Sequence, residues 1–237
     1  MTTDETVSNG TGTNEPTSHA PAPRVSTAQP HEKVNFTASG RLTPWRGIDL
    51  LTAAMLAVAF GVVFWGFDAF VYPVVGIASA GFPPLGELAL GVWLLPAVVG
   101  ALVIRRPGAA LLTEMIAANV EMLLGNQWGV AVLASGALQG LGVEIVFGLL
   151  LWRRFGIPVA MAGGVLSALL EIVVYEWWAY VPGFSWTWRI VYLGCGMVSG
   201  AVVAGLGGWL LVRALAHSGA LNSFPAGAEL REARASR

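Results

Sequence analysis

Of 237 residues, 55% are hydrophobic and 11% charged, whereas about a quarter of the residues in a soluble domain carry charge. A net charge of −1 with a single lysine, Lys33, offers no basic surface to a nucleic acid, and one cysteine, Cys195, excludes an internal disulfide. His19, His31 and His217 all fall outside the apolar runs, which leaves no histidine for a metal site or proton relay inside a bilayer.

Residues 1–43 are rich in Thr, Ser, Pro, Asn and Gly. They predict a disordered soluble leader, since little apolar burial would offset the cost of ordering it. They lack the basic start and apolar core of a secretory signal. Beyond them lie six apolar runs, at about 48–67, 85–104, 108–125, 128–151, 157–178 and 188–212. A helix of about 20 apolar residues crosses the hydrocarbon core. The prediction is an all-α membrane protein: six transmembrane helices in a domain over 44–216, then a polar tail over 217–237, helical towards its end. The stretch "DAFVYPVVGIASAGFPP" is interrupted by Pro73, Gly76, Gly81, Pro83 and Pro84 and reads as a non-spanning loop or re-entrant piece.

Arginines orient the spans. Arg41 and Arg46 precede the first, Arg105 and Arg106 separate the second from the third, Arg153 and Arg154 separate the fourth from the fifth, and Arg213 follows the sixth. The positive-inside rule then places both termini in the cytoplasm. Along the first span, Ala53, Ala57 and Gly61 recur every four residues. Such a strip lets a helix approach closely, either within the same bundle or as a docking surface for another membrane subunit.

The third span, "LLTEMIAANVEMLLGNQWG", carries Glu114, Asn119 and Glu121, then Gln127 and Trp128 in the following turn. At 1.5 Å per residue, Glu121 lies about 6 Å below the outer end of its span, Gln139 about 16 Å and Glu171 about 10 Å. Glu87 opens the second span and Asp68 closes the first, both on the outer side; interfacial solvation and a binding role both fit them. Glu114 and Glu144 lie deeper, toward the cytoplasm, where hydrogen bonding between helices and a functional role both fit, the former more readily. An ionised carboxylate among apolar groups costs several kcal/mol without a partner, and such groups are functional candidates by default. Glu121 and Glu171 are the leading ligand candidates. Glu171, Tyr175 and Trp178 fall on one face of an α-helix by spacing. Outer-side tryptophans and tyrosines exceed what an interfacial belt explains. Carboxylates beside aromatic rings suit a planar cationic or protonatable ligand. No phosphate-binding loop ending in Lys-Ser or Lys-Thr exists, so uphill transport would draw on protons or on a partner's ATP hydrolysis.

Together, "WRGIDLLTAAMLAVAFGVVFWGFD", "FPPLGELALGVWLLPAVVGALVIRRPGAALLTE", "GNQWG", "SGALQGLGVEIVFGL" and "LVRALAHSGAL" resemble the substrate-binding (S) components of energy-coupling factor (ECF) transporters of the YkoE type, over roughly 44–224. The resemblance implies a six-helix protein of a bacterial or archaeal plasma membrane. It would capture thiamin or its hydroxymethylpyrimidine precursor from outside, with no cofactor of its own, and work with a transmembrane coupling subunit and cytoplasmic ATPases. It also implies that Ala53 and Ala57 contact the coupling subunit. Glu121, Asn119, Gln127 and Trp128 would then line an outward pocket, faced by Glu171, Tyr175 and Trp178, with Gln139 as a further hydrogen-bonding group. The competing reading is a proton-coupled carrier of a small cationic solute; an intramembrane enzyme would lack a nucleophile–base motif.

Overall fold

The computed structural model describes residues 44–235; the expected leader lies outside them. The described residues contain helices and no β-strand. They form seven helical runs: α1 Gly47–Ala78, α2 Pro83–Ile104, α4 Gly129–Leu149, α5 Ile157–Ala179 and α6 Trp186–His217, with α3 Ala109–Leu124 and a terminal α7 Pro225–Ala235. Five of these, α1, α2, α4, α5 and α6, are long and apolar enough to cross a membrane. The sixth expected span, α3, has 16 residues.

Helix α2 sits at the centre. Its residues Pro96 to Ile104 are all buried, as expected of a helix that is apolar on every side. Pro83 and Pro84 open it as a run of 3₁₀ turns to Val92, and Pro96 stands in the first turn of the α-helical part, where a missing N–H removes no helical bond.

The largest departure from expectation is α1. The proline- and glycine-bearing stretch is not a loop: the helix continues to Ala78. A widened π turn over Phe67–Val71 precedes a fresh α-helical segment that starts at Tyr72 and carries Pro73 in its first turn, a position that tolerates proline. Only residues 79–82 remain as the connection to α2.

The small-residue strip is consumed inside the bundle. Ala53 and Ala57 have no exposed surface, and a Cβ on Gly61 would lie 2.5 Å from the Cβ of Val120 on α3. Packing within the bundle is the role the described residues display. Between α5 and α6 the approach is closer still: a Cβ on Gly164 would fall 2.0 Å from the carbonyl oxygen of Gly200.

The two deep glutamates bind helix ends. Glu144 accepts from the N–H groups of Gly108 (2.6 Å) and Ala110 (3.1 Å) and from Trp152 Nε1 (3.1 Å), placing a carboxylate at the start of α3, where helix N–H groups lack partners. Glu114 Oε2 accepts from the N–H of Ala97 at 2.9 Å. At the same end of the bundle, Asp49 pairs with Arg46 (2.7 Å) and Arg106 (3.4 Å). Nearby, α7 is tied back to α2 by Arg105, whose Nη2 donates to Glu229 at 2.9 Å.

Candidate ligand-binding site

The ends of α1, α3 and α5 and the starts of α2, α4 and α6 surround a cavity of about 570 Å³, within the size range of small-molecule sites. Glu121 stands in the last turn of α3, fully buried. Its Oε1 accepts from Asn126 Nδ2 at 3.2 Å, while Oε2 has no protein partner. Asn126 in turn accepts from the N–H of Trp128 at 3.0 Å. The backbone turns at Gly125 (φ 96) and Gly129 (φ 61), conformations that favour glycine. The "GNQWG" stretch is therefore a built turn that fixes a carboxylate and an indole together.

On α5, Glu171 lies against Ser135 and Gln139 of α4, with Oε2 unpartnered. The next five residues, Ile172–Glu176, form a π turn. A π turn advances by i→i+5 bonds rather than i→i+4, so it is Glu176 that returns to the cavity side. Glu176 Oε2 accepts from the Tyr192 hydroxyl of α6 at 3.0 Å. Glu87 of α2 adjoins this same pair and leaves Oε2 unpartnered. Opposite, three rings form a wall: Tyr72 meets Trp93 at 5.4 Å and Trp128 at 5.3 Å, and the two indoles meet edge-on at 5.7 Å.

Of the expected ligand residues, Glu87, Glu121, Trp128, Gln139 and Glu171 line the cavity. The other five do not. Asp68, in the π turn of α1, sits against Glu121 and Trp93 and does not line the cavity. Asn119 spends its amide on the Met115 carbonyl at 2.7 Å, and Gln127 is exposed. Tyr175 packs on Tyr180 at 5.4 Å. Trp178 is 59% exposed, its Nε1 donating to the Val173 carbonyl at 2.9 Å. The π turn explains the last two: the even i, i+4, i+7 face assumed from spacing is broken between Glu171 and Trp178. Spacing alone missed Glu176, Tyr192, Tyr72 and Trp93. Only the excess of outer-side aromatics pointed towards any of them.

Carboxylates from three helices, each with one oxygen lacking a partner, therefore line one space beside ring faces and edges. That arrangement can hold a flat molecule bearing N–H donors or a positive charge. Residues 48–170 match the family described as ABC-type cobalt transport system, permease component. The YkoE protein of Bacillus subtilis (strain 168), named as a proposed HMP/thiamine permease protein, is 36% identical over 195 residues, covering 80% of this chain and 94% of that protein. A crystal structure of an S-component of an ECF transporter superposes with a TM-score of 0.74 at 34% identity, over 81% of this chain and 95% of the other. The chain belongs to the S components of ECF transporters. It is a multi-pass transport protein rather than an enzyme. Among the described residues, no three His, Cys, Asp or Glu side chains are grouped to hold a metal ion.

Proposed function

We propose that this S component captures thiamin or its hydroxymethylpyrimidine precursor from outside a bacterial or archaeal plasma membrane. It would deliver the vitamin to an ATP-driven importer made with a transmembrane coupling subunit and cytoplasmic ATPases. The observation that carries the reading is the set of unpartnered oxygens on Glu87, Glu121 and Glu171 in a ring-walled cavity. An aminopyrimidine supplies N–H donors to carboxylates, a thiazolium supplies positive charge, and both rings stack on Tyr or Trp. The relative's name, HMP/thiamine permease, supports the same ligands.

The proposed topology has six spans, with residues 44–216 as the membrane domain, 217–237 as a cytoplasmic tail and both termini inside. The 16 residues of α3 reach only about 24 Å. Since α3 packs against α1, α2 and α4 and its first residues, Ala109 and Ala110, are buried, much of it lies in protein, which permits a span shorter than a lipid-facing helix needs. The arginine-rich end would face the cytoplasm and the cavity the outside.

The test is tryptophan fluorescence of the purified subunit titrated with thiamin and, separately, with hydroxymethylpyrimidine. Saturable quenching by one of them, with no partner present, is the expected result. Folded protein that responds to neither, or uptake driven by a proton gradient with no ATPase, would replace the capture reading with the proton-coupled carrier.

A further inference from the structure

Residues 180–185 connect α5 to α6 and form one side of the cavity, which Tyr180, Val181 and Phe184 line. At its ends the strap is held by the Tyr180 N–H donating to the Glu176 carbonyl at 2.8 Å and the Arg189 N–H donating to the Ser185 carbonyl at 2.9 Å. Between them the Val181 N–H donates to the Glu176 carbonyl and the Phe184 N–H to the Val181 carbonyl, both at 3.1 Å, and nothing lies within 4 Å of a Cβ placed on Gly183.

Arg189, in the first turn of α6, reaches back over the strap and is only 7% exposed. Its Nη2 donates to the Pro182 carbonyl at 2.9 Å. Its guanidinium lies over the ring of Trp178 at 4.9 Å and that of Trp186 at 5.2 Å. Phe184 then packs on Trp188 at 5.8 Å and Tyr192 at 6.0 Å, and Tyr192 holds Glu176. Among the described residues Arg189 forms no ion pair, although the nearby cavity has carboxylate oxygens to spare. A buried arginine placed to neutralise that cavity would meet one of them, since an unpaired buried charge is costly. This one is received by a carbonyl at Nη2 and by two indoles, contacts that strengthen out of water, while its Nε has no partner.

We infer that Arg189 staples the 180–185 strap over the cavity and thereby sets how long a bound ligand stays. The first half stands on the geometry; the second rests on the capture reading above. Arg189 is a positioning residue: it orients Val181 and Phe184 and does not line the cavity.

The experiment compares the full-length subunit with Arg189→Met and Arg189→Lys in two measurements. The first is amide hydrogen exchange across residues 180–186 without ligand. The second is the rate of thiamin or hydroxymethylpyrimidine release, followed by tryptophan fluorescence. Loss of a hydrogen bond to a charged group predicts strap exchange and ligand release about tenfold faster in Arg189→Met, with association unchanged within about twofold. Arg189→Lys should fall between, because an ammonium keeps the charge but not the planar stack. Exchange in the strap equal to wild type, or raised evenly over every helix, overturns the staple. Faster exchange with unchanged release overturns its effect on residence time. If the wild type binds neither compound, the capture reading fails, and the exchange measurement still decides the staple. Should Arg189→Met not fold, Arg189→Lys alone decides, with wild-type strap exchange overturning the inference.

Discussion

Glu114 and Glu121 stand two turns apart on α3 and are both fully buried, yet their surroundings assign them different work. Glu114 takes the Ala97 N–H, a donor in the first turn of a helix that has no intrahelical acceptor. Glu121 is held on one oxygen by Asn126; each of the two keeps one buried oxygen without a partner, but only Glu121 lines the cavity. Glutamine at 121 or 171 should therefore weaken vitamin binding by about tenfold or more, the scale of a hydrogen bond to a charged group. Glutamine at 114 should leave affinity within about twofold while lowering the midpoint of thermal unfolding. Equal affinities for all three variants in a fluorescence titration would contradict this division. Much of the site was legible at this scale, because a carboxylate in an apolar run is conspicuous by its cost. Asn126 was harder to assign: its role is to hold Glu121 and Trp128 in one turn, and a polar residue between glycines reads the same whether it organises a site or merely faces water.

At the scale of elements, composition set the helices and local winding moved the side chains. Five predicted spans begin and end close to the observed helices, because apolar length is a strong signal. The π turns in α1 and α5 were not legible, since one inserted residue per turn leaves hydropathy unchanged while rotating everything beyond it. That rotation brings Glu176 inward and turns Trp178 out. The strip of Ala53, Ala57 and Gly61 shows the same limit: spacing identified a close helix contact, and only packing showed that α3 makes it. Leucine at 57 should accordingly destabilise the isolated subunit by about 1–3 kcal/mol through overpacking, read as a lower unfolding midpoint with no partner present. An unchanged midpoint would mean that the strip has room to spare. Alanine at 144 removes the acceptor shared by Gly108, Ala110 and Trp152. It should cost about 1–3 kcal/mol and leave ligand affinity within about twofold, because Glu144 lies at the opposite end of α4 from the residues facing the cavity.

For the whole molecule, charge and cavity divide the bundle between its two ends. Arg46, Arg105 and Arg106 gather with Asp49 and Glu229 at one end, where α7 folds back. The cavity opens among the helix termini at the other, beside Arg189. Positive charge is retained on the cytoplasmic side, so the proposed topology puts the cavity end outside and the start of the tail inside. Single-cysteine variants test it directly. Cys195 is replaced by alanine, and cysteine is placed at Gly183 in the strap, where a Cβ meets nothing within 4 Å, or at exposed Ser218 beyond α6. A membrane-impermeant maleimide added to intact cells should label position 183 at once and position 218 only after the membrane is opened. The reverse pattern would invert the topology and put the carboxylates at the cytoplasmic face, incompatible with capture from outside. Labelling of both positions in intact cells would mean an even number of crossings between 183 and 218, and α6 would then not span. The expected pattern follows from the division of charge in the bundle: acidic side chains without arginine partners line the cavity at one end, and arginines are concentrated at the other.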